Sequence, residues 1–168
     1  FLGTLVIDNK IGGTPNEFYF KPTLIMDNVV FRTALRSYFD INPVVVTNTI
    51  GNYYTDSSNA ISYWDVSRVT DMSSAFIEQS SFDISLINWD VSSVTNMSDM
   101  FNGCSEFNKP LNSWNVSNVT NMSNMFRGCS KFNNALSEWD VYNVTEMVDM
   151  FYGCDLFNQN IQNWEIYK

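Results

Sequence analysis

The chain has 168 residues, of which 45% are apolar and 15% aromatic, and a formal net charge of −9. This composition predicts one ordered domain and argues against a disordered chain. Residues 64–168 hold 13 acidic against 5 basic side chains, which disfavours binding to nucleic acid or an anionic membrane. The sequence contains no run of about 18 apolar residues, so no membrane-spanning helix is predicted. His is absent, which removes the commonest general base and metal ligand.

The first segment, residues 1–26, contains two short β-like runs, L-V-I at 5–7 and F-Y-F at 18–20. Apolar runs of this length are typical of strands. The pattern leaves open whether this N-terminal β-like segment packs on the rest of the chain or on another molecule.

The second segment, residues 27–63, is predicted to be a capping helix followed by a lead-in loop. An amphipathic helix is predicted over 27–39, with Asp27 as its N-cap and Pro43 beyond its end. Its apolar face comprises Val30, Phe31, Ala34, Leu35 and Tyr38. Since a stack of repeats must cover its terminal apolar face, we expect this helix to form the N-terminal cap.

The third segment, residues 64–168, is a repeat. Its tryptophans stand 25 residues apart, at Trp64, Trp89, Trp114, Trp139 and Trp164. Nearly the same sequence follows each of the first four tryptophans, as in W-D-V-S-S-V-T-N-M from Trp89. A fixed period in this range predicts a solenoid, in which each unit buries its apolar side against its neighbours.

Within one unit, residues 89–113, the apolar residues from Val94 to Cys104 follow helical steps. Ser92 or Thr95 is the candidate N-cap, and Gly103 is placed to end the helix. The alternation around Trp114 and Val116 predicts a short parallel strand. The expected fold is therefore an α/β repeat solenoid of about four leucine-rich-repeat-like coils, each a strand plus a helix, with strands about 4.8 Å apart.

Stacking in register predicts columns of like residues in the core. The predicted columns comprise Trp64, Trp89, Trp114 and Trp139; Phe101, Phe126 and Phe151; and Cys104, Cys129 and Cys154. For the cysteines, buried thiols are the favoured interpretation, although adjacent coils would also bring them near disulfide distance. An Asn column at 108, 133 and 158 is predicted to be buried and to bond the backbone of the next coil.

The motif W-D-V-S-x-V-T-x-M-S-x-M-F-x-G-C-x-x-F-N, which recurs over residues 61–168, resembles the BspA-like surface-protein repeats, a leucine-rich-repeat-like family of bacteria, protists and large DNA viruses. The first unit departs from it: Ala75 replaces the second Met, and I-E-Q-S stands at 77–80. The resemblance implies a cell-surface or secreted module for adhesion or recognition, and it supplies no catalytic residues.

The residue after each Trp forms a mostly acidic column, predicted to face outward: Asp65, Asp90, Asn115, Asp140 and Glu165. A solvated face is the simplest interpretation, calcium or glycan contact comes next, and acid–base hydrolysis is the least favoured. Five N-x-S/T sequons also occur, at Asn96, Asn115, Asn118, Asn121 and Asn143. Because these sequons are part of the repeated motif, their recurrence also has a structural explanation.

We therefore predict a non-enzymatic, extracellular or cell-surface module that needs no cofactor or metal. It would bind a protein or glycan partner through the acidic column. The alternative is a building block of a larger assembly, such as a virus particle shell or surface fibre, joined through its C-terminal strand at Trp164. A polysaccharide-cleaving enzyme is a distant third.

Overall fold

The computed structural model describes residues 26–39 and 60–165. Most of the β-like segment, residues 1–25, and the lead-in loop at 40–59 lie outside the described residues. Met26 is buried, and its N–H donates to the Asp65 carbonyl at 3.0 Å. No helix in the two described stretches has the length and apolar character needed to cross a membrane.

Helix α1 spans Asn28–Phe39, within the range that the apolar pattern predicts. The Asp27 carboxylate caps it by accepting hydrogen bonds from the N–H groups of Val29 and Val30, both at 3.0 Å. On its buried face, the edge of the Phe31 ring meets Trp64 and Trp89, with centroids 6.3 and 5.7 Å away. The helix therefore packs on the start of the repeats. A single 3-10 turn, Ala60–Tyr63, precedes the first repeat.

The repeats form four units that begin at the tryptophans: unit 1 (64–88), unit 2 (89–113), unit 3 (114–138) and unit 4 (139–163). Residues 25 apart lie against one another in these units. The rings of Phe101 and Phe126 are stacked with centroids 5.6 Å apart and planes 6° apart. Isolated parallel bridges join successive units at the positions of Asp71, Asn96, Asn121 and Glu146.

The conformation of each unit differs from the predicted helix. Residues 97–104 form consecutive turns, because alternate N–H groups point in different directions. The N–H groups of residues 97, 99, 101 and 103 donate to carbonyls of unit 3, whereas those of 100, 102 and 104 bond three residues back. Asp99 and Gly103 have φ values of 57° and 81°, which an α-helix does not allow. The predicted caps at Ser92 and Thr95 therefore have no helix to begin.

The predicted strand is also in a different place. The parallel bridges lie at Asn96 and Asn121, not around Trp114 and Val116. Each bridge is isolated because only every second N–H crosses to the next unit, and those between them close four-residue β-turns. The step of three reproduces the spacing of the apolar stripe, so Val94, Met97 and Cys104 are all fully buried.

Of the ten residues predicted to form core columns, nine are buried and Phe151 is half-buried. Phe151 belongs to unit 4, which has a described neighbour on one side only. The Asn column is exposed, contrary to prediction, yet it does join the units. The Asn108 Oδ1 accepts the Asn133 N–H at 3.0 Å, and the Asn133 Oδ1 accepts the Asn158 N–H at 2.9 Å.

Each boundary between units carries its own exposed ion pair. Lys109 reaches back to Asp83 between units 1 and 2, at 2.6 Å. Lys131 pairs with Glu106 between units 2 and 3. Between units 3 and 4, Arg127 bonds Asp149 at 2.6 Å and lies 4.5 Å from the centre of the Tyr152 ring. Pairs this exposed contribute little stability individually.

Candidate recognition surface

The acidic column lies on the exterior of the units. Asp90, Asn115, Asp140 and Glu165 are exposed and Asp65 is half-exposed. The Oδ1 atoms of Asp65, Asp90, Asn115 and Asp140 each accept a hydrogen bond from the N–H two residues later, at 3.0–3.2 Å. This is an Asx turn, which short carboxylate and amide side chains form with their own backbone. The recurrence of Asp or Asn after Trp thus has a local structural cause.

The hydrogen bonds around Asp90 also affect its ionisation. The Ser92 hydroxyl and backbone N–H stabilise the carboxylate and hold the pKa of Asp90 below its usual value, against a smaller opposing effect of burial. Asp90 therefore presents a fixed negative charge at neutral pH. An acid catalyst would require the opposite change, a raised pKa.

A shallow groove runs beside the column and is lined by residues from all four units. Its volume is about 620 Å³, and its polar lining includes Asn112, Asn115, Glu138 and Asp140. The apolar part of the lining includes Ile87, Pro110 and Trp114. Thus the groove brings together Asn115 and Asp140 from the predicted contact residues, whereas Asp65, Asp90 and Glu165 lie outside it.

Sequence reasoning missed Ile87, Asn112 and Glu138 as lining residues. Ile87 is 49% exposed and stands at a position where the later units carry Asn112, Ser137 and Gln162. An apolar residue at a position that is otherwise polar was the available signal. The groove also has a defined edge, because the Asn112 Oδ1 accepts the Glu138 N–H across two units at 3.1 Å.

The cysteine column consists of free, buried thiols. Each Sγ donates to a carbonyl 28 residues back, for example from Cys104 to Phe76 at 3.0 Å. Burial raises the pKa of Cys104 to about 12 and that of Cys154 to about 11. These groups are poor nucleophiles because the thiolate is the reactive form. Within the described ranges, no three Cys, Asp or Glu side chains are arranged to hold a metal ion.

The sequon asparagines also link neighbouring units. The Nδ2 groups of Asn118 and Asn143 donate to the carbonyls of Ser92 and Ser117, both at 2.7 Å. Asn121 bonds the Glu146 carboxylate at 2.7 Å. Asn96 and Asn115 accept hydrogen bonds in Asx turns. All five asparagines therefore have structural roles that account for the recurrence of the sequence.

The chain matches a family model over residues 45–166, which includes all four units. The family is described as Mycoplasma protein of unknown function, DUF285, and is related to BspA-like repeat proteins. No curated protein and no solved structure matches the chain. Because the match covers more than half of the sequence, this chain belongs to the DUF285 family.

Proposed function

We propose that this chain is a non-catalytic recognition module, a repeat solenoid of the BspA-like type displayed on a cell surface or secreted. It would bind a protein or glycan partner through the groove beside the acidic column. The observation that carries the proposal is the combination of an exposed apolar floor with amide and carboxylate groups in one groove, which is typical of ligand-binding sites.

The rigidity of this surface supports recognition. The Asp140 carboxylate is held by an Asx turn. The Trp114 ring donates through Nε1 to the Leu86 carbonyl at 3.1 Å. A surface that is already ordered loses less conformational entropy when a partner binds. The turn at Asp90 argues against hydrolysis by that residue, because the hydrogen bonds from Ser92 favour the ionised carboxylate and lower its pKa.

The test must separate the loss of a carboxylate charge from a change in the fold. Substituting Asp140→Ala would remove the carboxylate and also the Asx turn at Tyr142. Asp140→Asn retains the turn, as Asn115 does naturally, and removes only the charge. We therefore use Glu138→Gln with Asp140→Asn as the binding variant. Asp155→Asn, an exposed carboxylate that does not line the groove, is the matched control.

The probes are a glycan array and a panel of immobilised secreted proteins. We expect the wild-type chain and the Asp155→Asn variant to bind the same partner. The groove variant should bind at least about tenfold more weakly, the scale for loss of charged hydrogen bonds, with an unchanged melting temperature. Equal binding by all three proteins would exclude the groove as the recognition site.

A second function, that of a building block in a larger particle shell or surface fibre, is favoured by the apolar side chains of unit 4. Val148, Tyr152 and Leu156 are 69%, 64% and 58% exposed. Light scattering after size-exclusion chromatography decides between these functions: a concentration-dependent increase in mass supports assembly, and a monomer at high concentration contradicts it.

A further inference from the structure

The groove beside the acidic column carries carboxylates that have no counter-charge. Its lining includes Glu138 and Asp140 and, among the residues that the structure describes, no basic side chain. Neither carboxylate belongs to the ion pairs that the described residues form. Lys109, which precedes the lining residue Pro110, is paired with Asp83 at 2.6 Å. Two exposed carboxylates of the groove thus remain without a described cation beside them.

These carboxylates favour a cationic partner over a neutral glycan. A partner that covers Glu138 and Asp140 removes water from them, and covering an ionised carboxylate without an opposing charge is unfavourable. A neutral sugar supplies hydroxyl groups but no such charge, whereas a cationic donor supplies both a hydrogen bond and a charge. Trp114 is only 3% exposed, so the groove offers little ring surface for a sugar to stack on.

The apolar part of the lining narrows the choice among cations. Ile87 is 49% exposed, and Pro110 lies in the same groove. Arg and Lys side chains combine an apolar stem with a cationic head. The guanidinium of Arg is planar, weakly hydrated and shaped to donate two hydrogen bonds to a carboxylate. An Arg side chain therefore matches both parts of the lining.

The length of the groove favours a polypeptide over a small cation. Its lining crosses two successive steps of the repeat, from Ile87 to Asn112 and from Ser113 to Glu138. With about 4.8 Å between neighbouring units, the groove is roughly 10 Å long, the length of about three extended residues. Its volume of about 620 Å³ also exceeds that of one side chain.

We propose that the groove binds an extended polypeptide segment that carries arginine. The guanidinium group pairs with Glu138 and Asp140, and the stem of the side chain packs against Ile87 and Pro110. This inference rests on the proposed function, because it names the class of partner that the same surface recognises. It excludes a neutral glycan as that partner.

The test uses the full chain and the synthetic peptide acetyl-Gly-Leu-Arg-Ala-Arg-Leu-Gly-amide, in which both Arg side chains of an extended segment point to one side. The matched peptide carries citrulline in place of each Arg, which keeps the shape and removes the charge. Binding is followed by NMR at the Ile87 methyl and Asn112 amide signals, with peptide up to about 5 mM. We expect the citrulline peptide to bind at least about tenfold more weakly.

Three variants separate charge from apolar contact. Glu138→Gln with Asp140→Asn should weaken binding of the Arg peptide alone. Ile87→Asn, which introduces the residue that unit 2 carries at this position, should weaken both peptides by the same factor. Asn115→Asp adds a carboxylate to the groove and keeps the Asx turn, as Asp140 does. It should strengthen binding of the Arg peptide about threefold or more, a gain that a misfolded variant would not give.

The outcomes distinguish this inference from the proposed function. Binding that depends on Arg, falls in the Glu138 and Asp140 variant and rises in Asn115→Asp supports the inference. Equal binding of the two peptides, or binding of neither, overturns it. Arg-dependent binding that no groove variant changes also overturns it, and shows general attraction to an acidic chain. If a neutral glycan binds and its binding requires the groove, the recognition function stands and this inference fails.

Discussion

The two ends of the repeat region differ in how their backbone groups are satisfied. Between units, a Thr carbonyl accepts from two consecutive N–H groups, as Thr70 does from Thr95 at 2.8 Å and Asn96 at 3.4 Å. No unit precedes unit 1 among the described residues, and the Asn28 Oδ1 takes this place by accepting from Thr70 at 2.9 Å and Asp71 at 3.2 Å. The open face of unit 4 has no such substitute among the described residues.

Helix α1 therefore does more than cover apolar surface. With Asn28 as an acceptor and Arg32 as a donor, it reproduces both kinds of hydrogen bond that a neighbouring unit would make. The comparison teaches that a terminal unit needs backbone partners as well as apolar contact, because unpaired buried polar groups are costly. Three substitutions test this difference, in order of decreasing effect.

The largest effect should come from the Trp column. Trp114 is 3% exposed, with units on both sides, whereas Trp164 is half-buried. Trp114→Ala should lower the free energy of unfolding by about 3–5 kcal/mol, as for other buried large aromatic residues. Trp164→Ala should have less than half this effect, measured by urea unfolding. Equal losses would mean that the face of unit 4 is covered as fully as the interior.

A smaller effect is expected at the cap. Asn28→Ala leaves the Thr70 and Asp71 N–H groups without their acceptor and should destabilise by about 1–3 kcal/mol. Arg36→Ala is the control, because Arg36 is exposed on the same helix and surface changes usually stay within about 0.5 kcal/mol. Thermal unfolding of both variants measures the loss of stability in each. Equal losses would show that Asn28 contributes only to the stability of α1 and not as an acceptor for unit 1.

The smallest effect is expected in how the free energy of unfolding depends on acidic pH, through Asp71. Burial raises the pKa of Asp71, but hydrogen bonds from Ser73 and the charge of Arg32, 3.2 Å away, outweigh it and keep the pKa below its usual value. A lowered pKa means that this stabilisation is present above about pH 4, the unfolded value, and is lost as the pH falls through the folded one.

Asp71→Asn isolates this contribution, because an Asn side chain also accepts the N–H two residues later. Asn96 and Asn121 make this turn in units 2 and 3, as Asp71 makes it to Ser73 in unit 1. We expect the variant to lose less stability than the wild type between pH 5 and pH 2, measured by urea unfolding at each pH. Parallel curves would show that Asp71 contributes nothing to the acid response.

The period of 25 residues was sufficient to predict which residues lie adjacent and which apolar residues are buried, because repetition fixes neighbours without knowledge of the backbone. It did not predict that the Asn column is exposed. It was also insufficient for conformation, since a step of three fits both a helix and a series of β-turns. The better signal was Asp or Asn four residues before Gly, as at Asp99 and Gly103, because both positions tolerate positive φ. The groove could not be predicted, since it depends on how Ile87 and Glu138 meet across units.

The ion pairs at the boundaries have a consequence for the order of the units. Each boundary uses different residues at different positions, Asp83 with Lys109, Glu106 with Lys131 and Arg127 with Asp149. If units 2 and 3 exchanged places, the aromatic interior would remain matched, and Glu106 and Lys131, which are 25 residues apart, would still be neighbours. Asp83 would no longer meet Lys109, however, and Arg127 would no longer meet Asp149. The repeats thus share one interior while their surface charges make the natural sequence of units distinguishable from its permutations.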